Sequence, residues 1–237
     1  MNTSVRDAAY LTRRGEIEEY FDRTAADAWA RLTSDAPVSG IRKTVREGRE
    51  TMRALIGHWV GVQPGATVLD AGCGTGLLAT DLARAGAAVT AVDLSPTLVA
   101  LARDRMPADL APGCITYFAG DMLEPSLGSF DHLVAMDSLI HYGPTEALRA
   151  LEAIGPRVRR SMVVTFAPSS PLLMAMMWAG RLFPRGDRSP AIVPVRPQWL
   201  MRKIAGSSLA QDGWRIGRTH RVSRGFYTSQ ALELVRT

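Results

Sequence analysis

The chain has 237 residues, of which 46% are hydrophobic and 22% charged, so it can bury a real core and is not disordered. Its net charge of +5 favours an anionic partner (nucleic acid, phospholipid or a carboxylated ligand), although Arg157, Arg159, Arg160, Arg181, Arg185 and Arg188 are scattered, as on a solvated basic face. The two cysteines, Cys73 and Cys114, have no paired spacing and no neighbouring histidine cluster, which excludes a disulfide framework and a structural zinc site and sets a reduced, cytoplasmic expectation.

The N-terminal stretch "MNTSVRDAAYLTRRGEIEEYF" lacks the apolar core and cleavage site of a signal peptide. No run reaches the ~20 apolar residues that span a bilayer, so a soluble or peripheral protein is expected. Two helical patterns follow, "RGEIEEYFDRTAADAWARL" and "VREGRETMRALIGHWV", parted by the loop "TSDAPVSG". From Ala66 onward short β-branched runs alternate with helical ones. "ATVLDAG" reads as a strand, and "LLATDLARAG" as a helix with Gly86 at its C-terminal cap. "AAVTAVD" is a second strand, and "PTLVALARDRM" a helix opened by Pro96. "CITYFAGD" and "FDHLVAMD" are strands, "TEALRALEAIGPRV" a helix and "SMVVTFA" a fifth strand. The alternation predicts an α/β domain, a parallel sheet with helices on both faces.

After the fifth strand the pattern breaks. Residues 170–184, "SPLLMAMMWAGRLFP", form a methionine-rich apolar run too short to cross a membrane. Leu172, Met176 and Ala179 share one helical face, as in a core helix. Met174, Met177 and Trp178 occupy the other, which leaves no polar side, so the run needs apolar cover all round or forms the wall of a pocket for a large apolar ligand. A loop, the helix "QWLMRKIAG" and two strand-like runs joined near Gly225 complete the chain. The expected organisation is an N-terminal helical arm over residues 1–50 and one domain over 51–237, with residues 168–206 inserted as a lid.

The segment "VLDAGCGTG" sits between a buried strand and a helix start. Gly72, Gly74 and Gly76 let backbone approach a ligand and leave helix N–H groups facing it. The third glycine comes one residue too early for the dinucleotide fingerprint, and Asp70 would repel a pyrophosphate. A ligand with cationic and hydroxyl groups fits better. Asp93, ending the second strand, is placed to accept from a ribose diol. Asp121, ending the third, could accept from an adenine amino group, with Met122 against the ring.

"VLDAGCGTG", "AVDLSPTLV", "GDM" and "FDHLVAMD" together resemble the class I S-adenosylmethionine-dependent methyltransferases over residues 50–237. The resemblance implies a Rossmann-like, seven-stranded, mostly parallel sheet whose last strand is antiparallel. It implies S-adenosylmethionine as cofactor, S-adenosylhomocysteine as product, and no protein-bound metal. Asp70, Gly72, Cys73 and Gly74 would surround the methionine moiety, Asp93 the ribose, and Asp121 with Met122 the adenine. Leu94, Asp137 and Arg46 would be further cofactor-binding residues, and a solvated helix-face position suits Arg46 equally. Cys73 also reads simply as a small residue filling a tight turn.

The paired prolines of nucleobase N-methyltransferases are absent from "MDSLIHYG", and no catalytic cysteine follows the fourth strand, so nucleic acid is not the expected acceptor. The segments "EEYFDRTAADAWARL", "VREGRETM", "MDSLIHY", "TFAPSSPLL" and "GFYTSQALELVR" resemble the magnesium-protoporphyrin IX O-methyltransferase family across nearly the whole chain, arm included. Asp22 and Ala26 depart from the Asn and Gly usual in that arm. The resemblance implies esterification of a propionate of magnesium protoporphyrin IX in (bacterio)chlorophyll synthesis, with Tyr20 and His141 as catalytic residues. Tyr20 would close over the cofactor or hydrogen-bond the acceptor, or else pack in the seam between arm and core. His141 would orient the propionate or ligate the chelated magnesium, or else serve a structural end. Met174, Met177 and Trp178 would bind the porphyrin, with Arg181 and Arg185 near anionic head groups or a propionate. A magnesium chelatase subunit and the inner or photosynthetic membrane are the partners this reading suggests. Two rivals are O-methylation of another amphipathic small molecule, such as a quinone precursor, and a binding module without turnover; the intact acids argue against the latter.

Overall fold

In a computed structural model, residues 8–24, 29, 33, 40–169 and 192–237 are described. Periodicity places the elements. Helix α1 (Ala8–Glu19) passes into a wider π-helical turn, Tyr20–Thr24, and α2 covers Gly40–Val60. There follow β1 (Thr67–Ala71), α3 (Leu77–Arg84), β2 (Ala88–Asp93), α4 (Pro96–Asp104), β3 (Cys114–Ala119) and β4 (Phe130–Ala135). A 3-10 turn, Leu139–His141, precedes α5 (Pro144–Ile154) and β5 (Val158–Phe166). The chain closes with α6 (Pro197–Ala205), α7 (Ser208–Gln211), β6 (Trp214–Arg224) and β7 (Tyr227–Arg236).

The seven strands form one sheet in the order β3-β2-β1-β4-β5-β7-β6. All neighbours are parallel except β7, which runs antiparallel to both β5 and β6. That is the architecture the resemblance implies. Side chains along each strand alternate between two cores. Leu69, Ala71, Met162, Val164, Leu232 and Leu234 face one that also takes Tyr10 and Ile17 of α1, Leu151 and Ile154 of α5, and Leu200 and Ile204 of α6. Val68, Val163 and Ala231 face the other, filled by Met52 and Ile56 of α2, Leu78 and Leu82 of α3, and Val99 of α4. Helices therefore cover both faces.

The strand order reverses at β1, whose neighbours β2 and β4 leave in opposite directions. The crevice beyond the carboxyl ends of such strands is where ligands bind. Asp70 lies near the end of β1, Asp93 ends β2 and Asp137 follows β4, so one edge collects all three.

The expected arm differs from the structure in two ways. Helix α1 ends at Glu19 rather than running on as one regular helix through residue 32, and residues 25–28 and 30–32 lie outside the described ones. Position 50 is not a boundary. Helix α2 passes straight through it, packing Met52, Ile56 and Val60 into the core. The apolar run that carries Met174, Met177, Trp178, Arg181 and Arg185 lies outside the described residues, as does most of the lid expected over 168–206. From its ends, Val195 pairs with Pro168 and α6 packs on the sheet.

Gly48 sits in the middle of α2, where alanine would ordinarily add about 1 kcal/mol of helix propensity. A Cβ there would fall 2.4 Å from the Tyr227 ring, at its inner atoms rather than a flexible tip. Gly48→Ala is therefore expected to destabilise the protein by about 1–3 kcal/mol, the cost of overpacking. Urea unfolding of the two proteins decides it, since an unchanged or higher midpoint would mean that helix and ring do not press together.

Candidate active site

A cleft of about 1350 Å³, its open mouth included, lies over the carboxyl ends of β1, β2 and β4. Its floor is the loop after β1. Gly72 and Gly74 have φ of 83° and 53°, left-handed values that disfavour other residues. At Gly72 a side chain would also collide with Ser138, whose hydroxyl donates to the Ala71 carbonyl at 2.7 Å. The loop is thus locked against the turn after β4.

Asp93 holds the loop from the other side. Its carboxylate accepts from the backbone N–H of Gly74 at 2.8 Å and from that of Ser95 at 3.0 Å. Burial raises its pKa, and these N–H donors pull the other way. Asp70 has less support, a backbone hydrogen bond from Ala79 being the one influence that lowers its pKa. It is buried, its Oδ2 has no hydrogen-bond partner among the described residues, and both burial and the neighbouring charge of Asp93 push its pKa up to about 7. A buried carboxylate oxygen without a partner, beside a second acid, is a place for a cationic group. Cys73 lines the cleft too, but burial and the two acids push its thiol well above its ordinary value. It is held as a neutral thiol.

Of the other expected cofactor residues, Leu94, Met122, Asp137 and Arg46 line the cleft. Asp121 does not. Its Oδ1 accepts from the Tyr10 hydroxyl and from the Leu123 N–H, both at 2.9 Å, and Arg14 stands 3.7 Å from its Oδ2. In this structure Asp121 anchors α1, the arm presenting a phenol to its carboxylate. Asp22, the departure from the family's usual Asn, anchors the arm a second time. It accepts from the Ser95 hydroxyl and the Thr97 N–H, at 3.1 and 3.0 Å, at the N-terminus of α4. A negative charge is favourable at that end of a helix.

Asp137 ties the cleft's far wall together. Its carboxylate pairs with Arg49 of α2 at 2.6 Å and accepts from Tyr227 at 3.1 Å and Ser229 at 3.0 Å, both of β7. Thr165 of β5 accepts the Asp137 backbone N–H at 2.8 Å. The residue has a left-handed φ of 54°, unusual without a glycine, and the surrounding bonds hold it there. Expected only as a ligand contact, it spends its oxygens mainly on protein donors.

One wall of the cleft is aromatic. His141 is buried, and its ring meets that of Phe21 edge-on at 5.4 Å; Phe21 also packs on Tyr20 at 5.1 Å and Trp29 at 5.9 Å. The two expected catalytic residues are therefore brought together through Phe21. His141, Phe21 and Trp29 line the cleft, whereas Tyr20 stands behind Phe21. Sequence reading missed Phe21, Trp29, Ser138 and Arg49. For Arg49 a signal existed: Arg46, Arg49 and Arg53 are spaced i, i+3, i+7 on α2, one helical face, and all three line the cleft. Arg53 is paired with Asp81 at 2.5 Å, and the Arg49 guanidinium lies 4.6 Å from the centre of the Trp29 ring.

Residues 135–236 match the family described as the C-terminus of magnesium-protoporphyrin IX methyltransferase, and residues 68–160 match a methyltransferase domain family. The chain is 48% identical over 226 residues to magnesium-protoporphyrin O-methyltransferase of Rhodobacter capsulatus, covering 94% of this chain and 97% of that one. It is 33% identical over 232 residues to the Synechocystis enzyme of the same name, covering 97% and 99%. The crystal structure of magnesium protoporphyrin IX methyltransferase from Synechocystis with bound SAH superposes with a TM-score of 0.82 at 31% identity, over 94% of this chain and all of that one.

Replacing Asp137 by alanine is expected to cost about 2–4 kcal/mol, because Arg49, Tyr227 and Ser229 lose their common acceptor in a half-buried wall. Thermal unfolding checks this, and a stability within ~0.5 kcal/mol of the native chain would show that the network is not needed to hold α2 against the sheet.

Proposed function

The chain belongs to the magnesium-protoporphyrin O-methyltransferase family, and we propose how its own residues serve methyl transfer from S-adenosylmethionine to a propionate of magnesium protoporphyrin IX. As an S-adenosylmethionine-dependent O-methyltransferase it belongs to (bacterio)chlorophyll synthesis. The match covers 94% of the chain, more than residues 51–237 alone could supply, so it runs into the arm that a general quinone-type methyltransferase would lack. The observation that carries the residue assignments is the division of the cleft. One half is acidic and floored by glycine; the other is aromatic and edged by arginine.

The acidic half fits the cofactor. Asp70, with its unpartnered oxygen, takes the ammonium of the methionine moiety, and Gly72 and Gly74 leave room for it. Asp93 retains lone pairs for the ribose diol beyond those used by Gly74 and Ser95, and Met122 packs on the adenine. When bound, the cofactor supplies an electrophilic methyl on a cationic sulfur.

The acceptor, a carboxylate with a reference pKa near ~4, is already ionised at neutral pH, so no residue has to remove a proton. What remains is placement and exclusion of water. His141, buried under Phe21, directs a propionate oxygen toward the methyl group; Tyr20 backs Phe21 and holds the arm closed. Arg49, shaped by Asp137 and Trp29, offers its remaining N–H groups to a carboxylate. The porphyrin is poorly soluble, which makes direct transfer from a magnesium chelatase subunit and peripheral contact with the membrane from the cytoplasmic side part of the same proposal. Met174, Met177 and Trp178 keep their proposed task as porphyrin wall.

Incubation with labelled S-adenosylmethionine should label magnesium protoporphyrin IX and leave the metal-free macrocycle far behind; equal labelling of both would remove the metal from recognition. His141→Ala should lower kcat about 100-fold or more while cofactor affinity stays within about twofold, the pattern of a residue on the acceptor side. Wild-type kcat in that variant would return His141 to a structural role.

Asp70 gives a pH dependence whose sign follows from its environment. With its pKa raised to about 7, the free protein holds a proton there below neutrality, and ionisation costs stability as pH rises from the ordinary carboxylate range toward 7. A cationic ligand binds the ionised form. Cofactor affinity should therefore fall about tenfold per pH unit below 7 and level off above it, with a proton released on binding in acid buffer. Calorimetry in buffers of different ionisation enthalpy measures that proton, and Asp70→Asn should bind weakly at every pH without the slope. A flat affinity from pH 5.5 to 8 in the native chain would take the ammonium away from Asp70.

A further inference from the structure

Among the described residues, Phe226 and Ile41 are the most exposed of the large apolar side chains, each at 55%. They are far apart in sequence and adjacent in space. Phe226 sits at the tip of the β6–β7 hairpin, just after Gly225, whose φ of 53° makes the turn. Ile41 is in the first turn of α2. Thr44 joins them: its hydroxyl donates to the Ile41 carbonyl at 2.8 Å and accepts from the Phe226 N–H at 3.5 Å. A side chain at position 225 would strike Thr44, so the hairpin tip is pressed onto the helix.

The surroundings are basic. Arg42 and Lys43 follow Ile41, and Arg221 and Arg224 precede Phe226; all four are exposed, and residues 40–44 and 221–228 contain no acid. Two apolar side chains ringed by cations are too small a surface for a stable protein interface, which buries about 1,200 Å² or more. They suit the boundary of an anionic bilayer, where apolar groups enter the acyl region and cations meet head groups.

The position of the patch bears on function. Strand β6 runs parallel to β1 through β5, because β7 is antiparallel to both of its neighbours, so the hairpin tip lies at the edge where the cleft opens. One residue beyond Phe226, Tyr227 already reaches Asp137 in the cleft wall.

We propose that the β6–β7 tip and the first turn of α2 form a foot that docks on anionic phospholipid, setting the mouth of the cleft against the membrane from which an amphipathic acceptor enters. This deepens the membrane contact proposed above and assigns it a surface. Neither Phe226 nor the cations of α2's first turn belongs to the reacting site, so docking and chemistry are separable.

Flotation of the full chain with vesicles of phosphatidylcholine, alone or mixed with phosphatidylglycerol, tests it. The native chain should float with the mixed vesicles only and be released by high salt. Phe226→Asp, and separately Arg42→Glu with Lys43→Glu, should each lower the partition coefficient at least about tenfold, a loss of about 1.4 kcal/mol. Both should keep native turnover on detergent-dispersed magnesium porphyrin, and absence of turnover in the native chain itself would mark failure of the methyl-transfer reading and not of the foot. The two variants change different elements, so misfolding of one leaves the other to decide. A native chain that does not float, variants that float as it does, or binding to an acidic protein surface in place of vesicles would each overturn the foot.

Discussion

A single carboxylate, that of Asp137, connects the elements that make the cleft. It receives a guanidinium from α2 and hydroxyl groups from β7, while its own backbone N–H is satisfied by Thr165 of β5. None of those elements is rigidly oriented by its own local preferences. Helix α2 is amphipathic and is held by the apolar packing of Met52, Ile56 and Val60, and β7 by its pairing with β5; neither contact is polar at the side-chain level. A charged acceptor with several donors fixes both, and it does so through a residue whose left-handed backbone aims the side chain back into the wall. The arginine stripe of α2 then faces the acceptor side as a consequence.

The acids nearest the glycine loop divide the work differently. Asp93 is supported by backbone N–H groups and stays an acceptor with a defined direction, suited to a diol. Asp70 is buried beside it with one oxygen that has no hydrogen-bond partner among the described residues, so its ionisation is disfavoured. The pair therefore sets a directed acceptor beside an acid whose ionisation burial disfavours. The reaction itself asks little acid-base chemistry of the protein, since the nucleophile is already anionic. The site accordingly invests in shape: an aromatic wall around His141 and an arm anchored at Asp121 and at the start of α4.

That anchoring explains how a departure in the arm can be harmless. Asp22 replaces the Asn usual in the family, and its carboxylate meets a helix N-terminus, where an added negative charge is favourable. The same contact ties the arm to the strand end that carries Asp93, so arm position and cofactor site are mechanically linked through Ser95, which also caps α4.

What the sequence alone determined was local. Alternation with period 2, helical spacing, Pro96 at a helix start and glycines at a strand-to-helix turn place the strands and the ligand loop, because each depends on residues within a few positions of one another. The places of Asp70 and Asp93 at the edge of the cleft were legible because they stand at fixed offsets from such elements. The tertiary structure alone decided what the remaining acids do. Asp121 meets Tyr10 across 111 positions, and Asp137 meets Tyr227 across 90, so no window along the chain contains both partners. Asp121 lies at a strand end like Asp93 and has the same side chain. A phenol from the arm reaches the first and backbone N–H groups hold the second, and only the folded arrangement of arm against sheet sets that difference.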